Sequence, residues 1–152
     1  MIPFLFRIWR ALPMWIHVLA MRMFRPKFRA AVAAMIFDEQ GRILLFKHTY
    51  RKLEWGIPAG GLEYNEQPEN AIVREFYEET GMQIKVEQLL LAESSKEDRN
   101  ISLIFLCKII SGSFRESNEI SEMKYFDVNE LPRMLFMEKN LIRWAIKEIK
   151  GK

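Results

Sequence analysis

The 152-residue sequence holds one cysteine, Cys107, and two histidines, His17 and His48. A single thiol forms no internal disulfide, so no disulfide scaffold holds this fold, and a reducing compartment is permitted. Cys107 ends the apolar run Ile101-Ser-Leu-Ile-Phe-Leu-Cys107, the setting of a buried inert thiol rather than of a nucleophile. The histidines stand far apart with no partner at ligand spacing, which argues against a His- or Cys-based metal centre. No uncharged stretch is long enough for a bilayer: the longest, Ala11 to Met21, is about half of a span. A one-signed charge is also missing. The formal net charge of +3 is too weak to argue for nucleic acid, and a charged fraction of 28% is neither disordered nor tail-like.

What is present is a chain 49% hydrophobic, enough for a core in one domain. Its charges are unevenly placed. Arg7, Arg10, Arg22, Arg25, Lys27 and Arg29 all precede the first acid, Asp38. After Arg29, 17 basic residues face 20 acidic ones. Residues 1–28 also carry Phe4, Phe6, Trp9, Trp15, Phe24 and Phe28, with Pro3 and Pro13 interrupting them. This stretch reads as a helical appendage, and residues 29–152 as the folded domain. Arg7 and Arg10 sit late for the basic region of a signal peptide, and Met-Arg-Met-Phe-Arg is a poor small-residue cleavage site. Two readings of the appendage stay open: a helix packed on the domain or on a second subunit, and a basic aromatic helix on a membrane surface.

From Arg29 onward the pattern is regular. Arg29–Phe37 reads as a buried strand, Asp38-Glu-Gln-Gly41 as a turn and Arg42–Lys47 as a second strand, together a hairpin. The Gly- and Pro-rich loop Trp55-Gly-Ile-Pro-Ala-Gly-Gly61 follows. Pro68 then suits a first helical turn and Gly81 a stop, with Ile72, Phe76 and Thr80 as one i, i+4 stripe. Ile84–Glu93, Ile101–Ile110 and Met123–Val128 read as strands, and Leu141, Ile142, Ala145 and Ile149 mark one face of a last helix. The economical architecture is one α/β domain with a mixed sheet between helices.

Chemistry concentrates on the middle helix. Glu75, Glu78 and Glu79 stand at i, i+3 and i+4, on one helix face. Like charges at that spacing destabilise an isolated helix. A solvated acidic face is the bland account. Against it stand two further acids in the preceding loop, Glu63 and Glu66, and the glycines at both ends of the helix. Clustered carboxylates are hard oxygen ligands suited to Mg²⁺ or Mn²⁺. Phosphoanhydride cleavage uses such an ion to neutralise phosphate charge and to activate water.

The stretch Gly60, five residues, Glu66, seven residues, Arg74-Glu75-Phe76-Tyr77-Glu78-Glu79-Thr80-Gly81-Met82 resembles the Nudix box at every fixed position. With each fixed residue arising about once in fifteen, such a match comes by chance on the order of once in a million. The likeness extends loosely from about Arg29 to the C-terminus, through Gly41-Arg42-Ile-Leu-Leu and Trp55-Gly-Ile-Pro. It implies a Nudix-type α/β/α sandwich and a divalent-metal-dependent hydrolase of nucleoside diphosphate derivatives.

By the same resemblance, Glu75, Glu78, Glu79 and the Gly60 carbonyl are the expected metal ligands. Glu66 and Arg74 pair to fix the loop against the helix, and Gly81 ends the helix. Glu79 or a late loop acid is the expected base, with Glu119 the choice and Glu122 the reserve; both also fit surface acids. Arg51 and Lys52 are candidates to reach phosphates, against the plainer reading of solvated loop charges. Ala59 and Asn65 replace glycines common in the family, changes expected to alter loop shape and substrate fit. A nucleoside triphosphate, cut to monophosphate and pyrophosphate, is the expected substrate, with a nucleotide sugar or other NDP-X as the alternative and a non-catalytic regulator after that. The expected partners are a small nucleotide and no specific nucleic acid. The expected setting is cytoplasmic, with peripheral membrane contact or a homodimer through residues 1–28.

Overall fold

A computed structural model of the chain describes residue 6 and residues 9–24, 27–95 and 99–151. Pro3, Phe4, Arg7 and Arg25 of the expected appendage lie outside the described residues. Helix α1 spans Met14–Phe24. Strand β1 follows at Arg29–Met35, then β2 at Ile43–His48, and the short β3 (Trp55–Gly56) and β4 (Ala59–Gly61). Helix α2 is Pro68–Thr80, β5 is Gln83–Ser95, β6 is Asn100–Ser111, β7 is Ile120–Phe126 and α3 is Phe136–Lys150.

Two sheets form. The four-stranded one runs β4-β1-β6-β5 and is mixed: β1 pairs parallel to β6 and antiparallel to β4, while β5 pairs antiparallel to β6. The three-stranded one, β3-β2-β7, is antiparallel.

The expected hairpin exists only at its tip. Gly41 takes φ 76° in the turn, Asp38 and Arg42 join through a 2.6 Å ion pair, and Leu44 N–H donates to Ile36 O. Beyond that point the strands part. β4 occupies the edge of β1, with Ala31 opposite Gly61 and Ala33 opposite Ala59, and Ala34 N–H donates to Pro58 O. β2 is left to pair with β3 and β7.

Alternation along the strands explains the layers. Val32, Ala34 and Ile36 pack with Ala71, Ile72 and Phe76 of α2, while Ala33 and Met35 pack with Ile142 and Ala145 of α3. On β2, Leu44 and Phe46 face the first cluster, and Ile43 and Leu45 the second. A strand covered on both faces needs apolar residues at every position, which is how Arg29–Phe37 reads. The expected α/β/α arrangement follows, with a helix on each side of the strand layer. Pro68 opens α2 without a side-chain cap, and Gly81 closes it in the left-handed conformation at φ 70°.

Helix α1 stands apart from this packing. None of its described residues belongs to either core cluster. Among the described residues, no helix is long and apolar enough to cross a membrane.

Candidate active site

Strand β4 and helix α2 meet at the acids. A side chain at Gly60 would coincide with the Glu75 carboxyl, so only glycine lets this strand lie against the helix. Gly61 N–H then donates to Glu75 Oε1 at 3.1 Å. Arg74 clamps the intervening loop. Its Nε and Nη2 donate to the two oxygens of Glu66 at 2.8 and 2.9 Å, and Nη2 also donates to Gly61 O at 3.0 Å. Glu63 N–H donates to Glu66 Oε2 at 3.1 Å. These bonds, that from Arg74 foremost, pull the Glu66 pKa down to about 2. Asn65, one of the two departures from the glycines common here, sits at φ 63°. Asparagine tolerates that left-handed conformation, so the turn survives the replacement.

The three helix acids share a side but not an environment. Glu78 is exposed, with Arg74 Nη1 at 3.2 Å from its Oε2, and Nη1 also lies 3.1 Å from Glu75 Oε1. Glu79 is buried, at 8% exposure, and its Oε2 has no hydrogen-bond partner. Burial, reinforced by the like charges of Glu75, Glu119 and Glu78 and partly offset by Arg51, pushes its pKa up to about 8. Among the described residues no three acidic, histidine or cysteine side chains converge on one point, and Arg74 Nη1 lies against both Glu75 and Glu78. The donor set still suits a hard divalent cation: all are oxygens, one is buried without a partner, and the loop backbone approaches as only glycine allows.

Of the two late acids, only Glu119 comes near this centre, close enough to act electrostatically on Glu79. The Thr49 N–H donates to Glu119 O at 2.9 Å and its hydroxyl to Asn118 O at 2.7 Å, which ties the loop ahead of β7 to the end of β2. Glu122 lies instead on β7, 3.9 Å from Lys47 across the sheet. Arg51 is not a free solvated charge. It acts on Glu79 from one side and lies 3.6 Å from Glu138 Oε1 on the other. Lys52 is exposed.

Sequence reasoning missed Glu138 and His48. Glu138, in the first turn of α3, has an Oε2 without a partner, and burial pushes its pKa up to about 7 despite Arg51. His48 is 1% exposed with neither ring nitrogen bonded, and burial pulls its pKa down to about 4. Gly56 makes room for the group: a Cβ there would meet Arg51 Nη1 at 2.8 Å, Glu138 Oε1 at 3.2 Å and His48 Nε2 at 3.3 Å. No sequence spacing signals this contact, because β2, its following loop, β3 and α3 each supply one residue. Cys107 is inert as expected, its thiol buried and pushed up to about 12.

Behind β4 lies a cavity of about 710 Å³ between the β1, β5 and β6 face and α3. Ala59 and Glu138 line it, with Glu93, Asn140 and Trp144, and among the described residues none that lines it is basic. Alternation along β4 therefore gives Ala59 to the cavity and Gly60 to the acids, one residue apart.

The chain is 34% identical over 115 residues to the ADP-ribose pyrophosphatase of Methanocaldococcus jannaschii, covering 71% of this chain and 68% of that protein. It is 30% identical over 106 residues to a MutT-like protein of Streptomyces ambofaciens, covering 70% and 68%. In fold it superposes on a crystal structure of a UDP-X diphosphatase with a TM-score of 0.76 at 24% identity, covering 92% of this chain and 72% of that one. The NUDIX domain model matches residues 27–145, a span that takes in both sheets, the Gly60–Glu75 contact and the Arg74–Glu66 clamp, and the chain belongs to the Nudix hydrolase family.

Proposed function

We propose that the protein hydrolyses a phosphoanhydride bond in a nucleoside diphosphate derivative, with Mg²⁺ or Mn²⁺ as cofactor. Nudix hydrolases generally use divalent cations, and the residues that would hold one here are Glu75, Glu78, Glu79 and the Gly60 carbonyl. The observation that carries the reading is Glu79: a carboxyl buried among like charges, with an oxygen that bonds to nothing, is costly unless a cation faces it. The bound cation supplies neutralisation of phosphate charge and activation of water. Glu66 and Arg74 hold the loop so that Gly60 and Glu75 keep their contact. Glu79 takes the proton of the attacking water, with Glu119, tied in place through Thr49, as the second candidate. Arg51, which acts on Glu79 and pairs with Glu138, is the candidate to meet the substrate phosphates, with Lys52 beside it in sequence.

The first substrate reading is a nucleoside triphosphate, cut to a monophosphate and pyrophosphate. The second is a nucleoside diphosphate joined to a sugar. The cavity favours the second: a space of about 710 Å³ lined by Glu93, Glu138 and Asn140, and by no basic residue among those described, suits an uncharged, hydroxyl-bearing group better than a terminal phosphate. The name of the Methanocaldococcus jannaschii relative points the same way. A panel of nucleoside triphosphates and nucleotide sugars, assayed with Mg²⁺ and with product identification, tests both. Pyrophosphate release supports the first, two phosphate-bearing halves support the second, and free nucleoside alone contradicts the whole reading.

A further inference from the structure

We propose that the segment up to residue 28 docks the protein on an anionic membrane surface, with α1 lying in the interface rather than crossing it. Met14, Trp15, Val18, Leu19 and Met23 are all exposed, between 43% and 76%. At 100° per residue they fall within about half of the helix circumference, so they form one apolar face. Phe6 and Trp9 are exposed as well, at 63% and 41%. Trp9 is fixed beside the helix: its ring stacks on His17 at 4.5 Å, and its carbonyl lies 2.8 Å from His17 Nε2. An apolar surface of this extent on a folded domain marks a face that something covers.

Charge decides what covers it. Six cations and no acid precede Asp38, while the rest of the chain is net acidic. Two copies of the segment would bring like charge to like charge, which disfavours self-pairing. An anionic lipid surface offers apolar depth for the tryptophans and negative charge for the exposed Arg10 and Lys27. Eleven helical residues reach about 16 Å, half of a hydrocarbon core, so the helix lies flat.

The test uses the full-length protein with vesicles of phosphatidylcholine alone and of phosphatidylcholine with phosphatidylglycerol, followed by sedimentation and tryptophan emission. Wild type should sediment with the anionic vesicles with a blue shift, at least tenfold more than with the neutral ones, and should be released by high salt. The variant Trp15→Glu/Leu19→Glu alters only exposed residues outside both core clusters. It should lose vesicle binding tenfold or more while melting temperature and hydrolysis of a soluble nucleotide stay unchanged. Arg10→Gln/Lys27→Gln, also at exposed positions, should weaken binding to anionic vesicles with little effect on neutral ones. Wild-type protein that stays in the supernatant with anionic vesicles overturns the proposal. So does a homodimer in solution that the Trp15→Glu/Leu19→Glu variant splits while no lipid is bound, since the face would then be a contact between copies.

Discussion

The backbone of Gly60 lies where it does because Glu75 fills the space a side chain would need. The adjoining Gly61 amide holds the same carboxyl at 3.1 Å, so strand and helix are locked at one point. Gly60→Ala must therefore move either β4 or Glu75. A displacement of about an ångström in a catalytic frame costs on the order of a hundredfold in rate. We expect that loss in kcat for Gly60→Ala, measured with saturating Mg²⁺, and an unchanged rate would show that the contact does not position the site.

The Arg74–Glu66 fork predicts a graded series. Arg74→Lys keeps the charge and loses the two-pronged geometry. Its melting temperature should fall, and kcat should fall less than for loss of a helix acid. Glu66→Gln should likewise be milder than Glu79→Gln. Because Glu66 titrates at about 2 when folded, against an ordinary 4.5, its contribution to stability is complete above 4.5 and is lost as pH falls toward 2. Glu66→Gln should flatten that acid limb in a melting series, and a limb that persists unchanged would assign it to other carboxylates.

Metal-free stability should fall as pH rises from 6.5 to 8. Glu79 and Glu138 have folded pKa values raised to about 8 and about 7 from 4.5, so each binds a proton on folding within that window, and stability declines as it is lost. His48 runs the other way, lowered to about 4 from 6.5, so its opposing slope is already falling at 6.5 and fades over the next unit. Across the window the two carboxyls outweigh it. Thermal melts in chelator should show it, and Glu79→Gln should remove much of it. A wild-type melting temperature that rises across the window would contradict the burial that raises these two carboxyls.

How much of this was legible in the sequence follows from its reach along the chain. The stripe Ile72, Phe76 and Thr80 is fully buried, as its i, i+4 spacing indicates. Glu75, Glu78 and Glu79 do lie on one side of α2, but spacing carries no information on depth: Glu79 is buried and Glu78 exposed. The turn at Gly41 was readable, whereas the parting of β1 and β2 into separate sheets depends on β4 and β7, which pair with them from elsewhere in the chain. The meeting of His48, Arg51 and Glu138 is set by tertiary packing alone.

The most direct test of the account is Glu79→Gln, assayed for kcat with Mg²⁺ and for melting temperature without metal. The substitution keeps the shape and removes the charge of a buried carboxyl whose Oε2 has no hydrogen-bond partner. Turnover should fall by about two orders of magnitude or more, because the lost oxygen charge acts on the transition state through the cation. The metal-free variant should melt at or above the wild-type temperature, with the gain largest above pH 8, where wild-type Glu79 is ionised. Near-normal turnover would contradict the catalytic reading of the box helix.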